Sequence, residues 1–200
     1  IMIPKSWDNV TIDQYVAIKK TEAIIPKDKL EEHDLRVQRA CILTDLDLDV
    51  INAWSFEELL KVDKLMETDL PTRVIKRFKV NGNRYRFKEN PKKYSGGEYS
   101  AIMNACKDGG LNNLHRLCYL ISQPKNVLGF KKKVTDPEDI EKRIEDFKQL
   151  PLKVANPMAV FFWTLSEVLT DAILDYSTKK MMKITEQVQK EISYLEGTDG

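Results

Sequence analysis

The sequence predicts a mainly α-helical protein with one inserted β-hairpin, an α+β fold of seven to eight helices that ends in a long C-terminal helix. Three observations support this fold class. Capping motifs stand in front of several segments whose apolar residues recur at helical spacing. One segment near the middle of the chain alternates residue by residue around an Asn-Gly turn. After Pro157 the chain is first apolar almost all round a helix, and its apolar residues then recur at steps of three and four.

Length and composition indicate one α-dominated domain over residues 1–200, with the hairpin at 74–88 and the long helix at 157–195. Charged residues make up 32% of the chain and apolar residues 42%, as in a folded, helix-rich protein. Three cysteines without a CxxC pair indicate reduced thiols in a cytosolic setting. No apolar run reaches the eighteen or so residues of a membrane-spanning helix, so no membrane partner is expected.

Capping boxes predict where three of the helices begin. In each box a Ser or Thr hydroxyl accepts a hydrogen bond from the backbone N–H three residues later. A Gln or Glu at that later position accepts one in return. The three boxes are Thr11 with Gln14, Ser55 with Glu58, and Ser95 with Glu98.

Weaker signals predict the other helices. Asn113 and Asp136 are suitable N-cap residues, and Pro137 suits the first helical position. Asn156 and Pro157 repeat that signal before the last helix. These helices are expected over residues 30–43, 113–124, 136–149 and 157–195.

The hairpin is predicted around Asn81-Gly82, because these two residues tolerate the positive φ angles of a type I′ turn. A two-residue loop sets Phe78 opposite Tyr85, so one face of the hairpin is aromatic and apolar. The other face, which we call the basic face, consists of Arg77, Lys79, Arg84 and Arg86.

Charge is distributed unevenly, although the net charge is only +1. Residues 28–69 carry a net charge of −7, and residues 73–93 carry +8. Like charges opposed across a hairpin are destabilising, so the basic face should meet something negative. The acidic helices of the same chain, an acidic surface of another copy or another protein, and nucleic acid are the three alternatives. Nucleic acid is less favoured, because the hairpin aromatics fall on the other face.

Two further segments are candidate interaction sites. Lys131, Lys132 and Lys133 form a basic loop. The distal half of the last helix either lies on the domain surface or projects and pairs with another chain, as a partner helix or a homo-oligomer. Its apolar stripe consists of Ile184, Val188, Ile192 and Leu195.

Few residues of the kinds that catalysis needs are present. Histidine, the usual general base, occurs only at His33 and His115. The sequence has no nucleophile elbow, no glycine-rich phosphate loop and no HExxH zinc motif. The segment from Asp45 to Asp49 begins like a calcium loop, but Val50 occupies its glycine position. We therefore expect no enzyme activity, no cofactor and no metal site.

An ordered series of short segments resembles small proteins encoded in the tail gene modules of bacteriophages, especially those of Bacteroidetes hosts. Such proteins are often described as tail assembly chaperones. The resemblance begins with the Trp-Asp-Asn-Val-Thr-Ile opening and includes the hairpin. The segments lie at residues 7–15, 55–59, 78–85, 95–99, 113–115 and 151–162.

The resemblance implies a non-enzymatic protein of phage morphogenesis that binds an apolar helical partner, such as a tape measure protein, in the host cytoplasm during assembly. Trp7 and Trp54 are further candidate contacts for that partner. The long last helix and the Lys131–Lys133 loop depart from the family pattern and leave a second interpretation open. In it the protein is a structural component of the virion, such as a connector or a packaged protein. A nucleic-acid-binding module that uses the basic face is the third.

Overall fold

A computed structural model of the chain describes residues 3–24, 29–90, 93–107, 110–126, 128–131, 134–164 and 181–182. The chain divides into two compact units, Ile1–Ala159 and Val160–Gly200. In the second unit, residues 160–164 and 181–182 are helical. The single domain predicted over residues 1–200 stays a prediction, because most of the second unit lies outside the described residues.

The part of the chain that the structure describes contains eight α-helices and one small antiparallel sheet, which confirms the predicted mainly α class with a β-hairpin. Short 3-10 helices lie at Trp7–Asn9 and Phe147–Gln149. The helices are α1 (Ile12–Ile24), α2 (Lys29–Thr44), α3 (Leu48–Asn52), α4 (Phe56–Met66), α5 (Gly96–Lys107), α6 (Leu114–Leu120), α7 (Pro137–Asp146) and α8 (residues 152–164).

The three predicted capping boxes are confirmed. At the start of α4, Glu58 N donates to Ser55 Oγ at 3.3 Å, and Ser55 N donates to a Glu58 carboxylate oxygen at 3.0 Å. The boxes of α1 and α5 have the same reciprocal bonds. Gln14 does more than cap, because its Nε2 also donates to the carbonyl oxygens of Ile42 and Leu43 and so ties α1 to the end of α2.

The sheet has the order β1–β2–β3 and contains one strand more than the sequence predicts. Strands β1 (Arg77–Val80) and β2 (Asn83–Phe87) form the predicted hairpin in the predicted register. Asn81 and Gly82 have φ angles of 43° and 76°, as the type I′ turn requires. Strand β3 (Ser122–Lys125) pairs with β2 on its other side.

The predicted helix over residues 113–124 is therefore wrong at its C-terminal end. Helix α6 ends at Leu120, because the chain then turns towards β2, where Lys88 N donates to Ile121 O at 2.9 Å. Pro124 lies within β3 instead of ending a helix. The Asn113 side chain does not make the capping hydrogen bond that the sequence predicts at the start of α6.

The predicted start of the last helix at Pro157 is also wrong, since α8 begins at residue 152. Long-range pairing fixes this start: Leu152 N donates to Val10 O at 2.8 Å. The Asn156 side chain does not cap a helix and donates to Pro71 O at 2.9 Å. The rest of the predicted helix, up to residue 195, lies almost entirely outside the described residues.

One face of the sheet packs on an aromatic cluster formed by β1, β2, α6 and the second 3-10 helix. The rings of Tyr85 and Phe147 are in edge contact at 4.9 Å between centroids, and Phe78 and Tyr119 pack around them. Arg143 of α7 is buried beside this cluster, donates to Tyr85 Oη at 3.3 Å and is paired with Asp139. The apolar face predicted for the hairpin is therefore a core face.

The first four helices form their own packed group, in which α2 contacts α1, α3 and α4. Arg36 of α2 pairs with Asp63 of α4 at 2.7 Å. Trp7 is buried at 4% exposure and its Nε1 donates to Thr68 O at 3.0 Å. The prediction that Trp7 offers an exposed contact is therefore wrong, because the indole ring is part of the core.

Candidate functional site: a basic face on the sheet

The basic face predicted from the sequence exists as one exposed surface of the sheet. Its four members (Arg77, Lys79, Arg84 and Arg86) are all exposed. Residues alternate between the two faces of a strand, so the same strands send their apolar side chains to the aromatic cluster. The acidic helices of the same unit therefore do not cover this face, and that alternative is wrong.

Strand pairing arranges the cations in rows across the sheet. Lys79 lies opposite Arg84, Arg84 lies opposite Lys125, and Lys125 forms an isolated bridge with Lys131. We call these four residues the cation row. Neighbouring partners in antiparallel strands are about 5 Å apart at Cα, so the row spans roughly 15 Å. Arg77 and Arg86 are opposed in a second row, which Gln123 continues on β3.

The loop that follows β3 forms one edge of the basic face. Asn126 holds the loop, since its Oδ1 accepts from Phe130 N at 2.8 Å and its carbonyl oxygen accepts from Gly129 N at 3.0 Å. Two large apolar side chains, Leu128 and Phe130, are 80% and 68% exposed. The structure thus places an exposed apolar pair directly beside the cations.

An open groove of about 440 Å³ lies between the sheet and this loop. Its volume is in the range of ligand-binding clefts, but it is open to solvent, and five of its nine lining residues are lysine or arginine. Such a groove suits an elongated anionic segment better than an enclosed small molecule. The groove is lined by Arg77, Phe78, Lys79, Arg84, Tyr85, Arg86, Lys125, Leu128 and Gly129.

The pKa of Lys125 reflects the positive charge of this surface. Partial burial lowers the pKa of its amine, and the positive charges of Arg86, Lys131, Arg77 and Lys93 lower that pKa further. An anion bound to the basic face would offset these neighbouring positive charges and would raise the pKa of Lys125 again.

One carboxylate lies beside the basic face. Glu89 pairs with Lys76 at 2.8 Å, and that hydrogen bond, aided by the charge of Arg86, lowers the pKa of Glu89. Among the ion pairs of the described residues, Arg77, Lys79, Arg86, Lys125 and Lys131 have no carboxylate partner.

Several predicted site residues cannot be placed on this surface. Lys131 joins the cation row, but Lys132 and Lys133 lie outside the described residues. The apolar stripe of the last helix (Ile184, Val188, Ile192 and Leu195) also lies outside them.

The basic face includes residues that sequence reasoning missed. The sequence prediction ends the helix at residue 124 and leaves Lys125, Leu128 and Phe130 in the basic loop that follows. Their signal is faint, because Ser122 to Lys125 has no alternating apolar pattern. Pairing with β2 is what brings these residues to the basic face.

Away from the basic face, we consider the two histidines and the buried cysteine of the described residues. The pKa of the His115 imidazole is lowered by burial and by the positive charge of Lys148. His33 is exposed on α2. The thiol of Cys118 is fully buried and its pKa is raised for that reason. In the described part of the chain, no three His, Cys, Asp or Glu side chains are grouped to hold a metal ion.

No protein-family model matches the chain, and neither the curated proteins nor the solved structures include a match. A search of the described helices for one long and apolar enough to cross a membrane finds none.

Proposed function

We propose that this chain is a non-enzymatic interaction protein of phage particle assembly, of the tail assembly chaperone type, which docks on its partner through the basic face. The observation that carries the proposal is the cation row, exposed at Lys79, Arg84 and Lys131 and half-exposed at Lys125, beside Leu128 and Phe130. Holding like charges opposite one another costs stability, and an anionic partner would relieve that cost.

The chemistry of the surface defines the partner. Cations favour carboxylates, and the adjoining apolar pair favours exposed aliphatic or aromatic side chains. An amphipathic helix with an acidic flank supplies both, and recognition of such a helix in a groove is a common mode of binding. A helical tail protein such as a tape measure protein is the proposed partner, and the host cytoplasm during assembly is the proposed location.

Co-expression with the phage tape measure protein tests the proposal. The tagged full-length chain should recover this partner at low salt. The Arg77→Glu, Arg86→Glu variant should recover roughly tenfold less, since rim and groove charges carry this kind of contact. A matched control, Lys20→Glu with Lys142→Glu, changes the charge equally on exposed positions of α1 and α7 and should recover as much as wild type. Equal recovery by all three proteins would refute docking through the basic face.

Mass spectrometry of purified phage particles separates the two assembly roles. A chaperone leaves before the particle is complete, so mature particles should lack the protein. Stoichiometric copies in the particle would instead establish the second candidate, a structural component of the virion, and would overturn the chaperone role.

A further inference from the structure

A second surface of the same unit matches the basic face in composition and is opposite in charge. Residues 45–58, which we call the acidic segment, run from the end of α2 through α3 into α4 and include five carboxylates and no lysine or arginine. All five carboxylate residues are exposed. They are Asp45, Asp47, Asp49, Glu57 and Glu58.

The acidic segment also presents apolar side chains to solvent. Leu48, Val50 and Phe56 are 54%, 46% and 59% exposed. Single exposed apolar residues are ordinary, but three within nine positions, set among carboxylates, have the composition of a docking surface. The basic face has the same composition with the opposite sign, since Leu128 and Phe130 adjoin its cations.

The local structure keeps the acidic segment available. Asp47 is at the N-cap position of α3 but makes no side-chain capping bond. The ion pairs of the described residues leave Asp47, Asp49 and Glu57 without a cationic partner. The Ser55–Glu58 capping box fixes the turn between α3 and α4 before any partner arrives.

The two surfaces belong to different groups of elements within the first unit. The acidic segment joins α2, α3 and α4, which pack together, whereas the basic face is carried by strands that pack on one another and on α6. One copy can therefore offer its acidic segment while its own basic face remains exposed.

We infer that the basic face of one copy docks on the acidic segment of a second copy, so that the protein associates with itself through two different surfaces. Opposite charges bring the copies together, and the exposed apolar residues on both surfaces give the contact its buried centre. A contact between two different surfaces closes into a symmetric dimer or continues into a ring or a filament.

This inference rests on the proposed function in one respect, because both contacts use the basic face. A second copy and an assembly partner would then compete for the same cations. Self-association would keep the basic face covered until a partner with a better-matched acidic helix displaces the second copy.

Sedimentation velocity on the purified full-length chain tests the inference. At about 50 mM salt we expect a mass above the 23.2 kDa of one chain that rises with protein concentration. At about 1 M salt, where the screening length is about 3 Å, the mass should fall back towards one chain. A wild-type chain that stays monomeric up to high concentration at low salt would overturn the inference.

Two variants with complementary defects identify the surfaces. The face variant carries Lys79→Glu, Arg86→Glu and Lys125→Glu, and the segment variant carries Asp47→Lys and Glu57→Lys. Each variant alone should be monomeric, and circular dichroism should show that both are folded.

An equimolar mixture of the face variant and the segment variant should form a species of two chains and nothing larger. The intact acidic segment of the face variant docks on the intact basic face of the segment variant. The substituted basic face and the substituted acidic segment carry reversed charges, so neither can bind a further chain. Self-association of either variant at the wild-type level would show that the assigned surfaces are wrong.

A labelled 20-base-pair DNA duplex, added to the wild-type chain at low salt, tests the other occupant of the basic face. Salt-sensitive binding of the duplex by a chain that remains monomeric would overturn the inference in favour of nucleic acid. A wild-type chain that is monomeric but still recovers the tape measure protein would refute self-association and leave the proposed function standing. A wild-type chain that is oligomeric but recovers no tail protein would support self-association and refute the proposed function.

Discussion

Replacing Lys125 by glutamate should stabilise the protein, although it adds no buried surface. Lys125 stands between Arg84 and Lys131 in the cation row, so it takes part in two like-charge pairs. A cross-strand charge pair contributes about 0.2–1 kcal/mol, with the sign set by the charges. Lys125→Glu turns two repulsions into two attractions. For a half-exposed position we expect a gain of about 1 kcal/mol in the free energy of unfolding at low salt.

Urea denaturation followed by circular dichroism measures this gain. With a slope of about 2 kcal/mol per molar urea, the midpoint should rise by roughly 0.5 M. The control Lys20→Glu changes an exposed lysine of α1 and should shift the free energy of unfolding by less than about 0.5 kcal/mol. At 1 M salt the difference between Lys125→Glu and wild type should largely disappear. A gain that survives high salt, or a loss at low salt, would refute the reasoning from opposed charges.

The neutral variant Lys125→Gln extends the test to pH. The pKa of Lys125 is lower in the folded state than its ordinary value of 10.5. Between those two pKa values the unfolded chain binds more protons, so the stability of the wild type rises with pH in that window. Lys125→Gln lacks this contribution. The variant should therefore be the more stable protein at pH 7, and its advantage should vanish above about pH 10.5.

Three further predictions concern a helix cap, a buried ion pair and a buried thiol. Ser55→Ala removes the capping box of α4 and should lower the free energy of unfolding by about 1 kcal/mol in urea denaturation. Asp63→Asn removes the nearer carboxylate partner of the buried Arg36 guanidinium and leaves Glu32 at 4.0 Å, so it should cost about 2 kcal/mol, of which the added change Arg36→Met should restore a part. The thiol of Cys118 should react with iodoacetamide only as fast as the protein unfolds globally, as intact-mass measurements over time would show.

The sequence alone predicts the structure correctly where that structure depends on residues close together in the chain. A capping box involves two residues three positions apart, and an Asn-Gly turn involves two adjacent ones, so both can be recognised without the fold. The register of the hairpin followed from the turn alone, which is why Arg77, Lys79, Arg84 and Arg86 were predicted to share one face. Half of the candidate site was thus predictable.

The rest depends on residues distant in sequence. Strand β3 exists because β2 offers it a free edge, and the Ser-Gln-Pro-Lys sequence of that strand has no intrinsic pattern of alternation. The start of α8 is set by hydrogen bonds to the segment around Val10, about 140 positions earlier in the chain. In both cases a proline is a misleading signal, because Pro124 predicts the end of a helix and Pro157 predicts the start of one.

The two faces of the sheet depend on each other. Burying large aromatic side chains such as Tyr85 and Phe147 contributes roughly 2 kcal/mol for each ring, which exceeds the repulsion within the cation row. The aromatic cluster therefore holds the strands in register against the charges that they display. Because the strands already place the cations in rows, a partner need not order the backbone that carries them, although the exposed side chains lose freedom when they bind. The carboxylates of the proposed partner would offset the repulsion within the cation row, so binding at this face and stability of the sheet would be coupled.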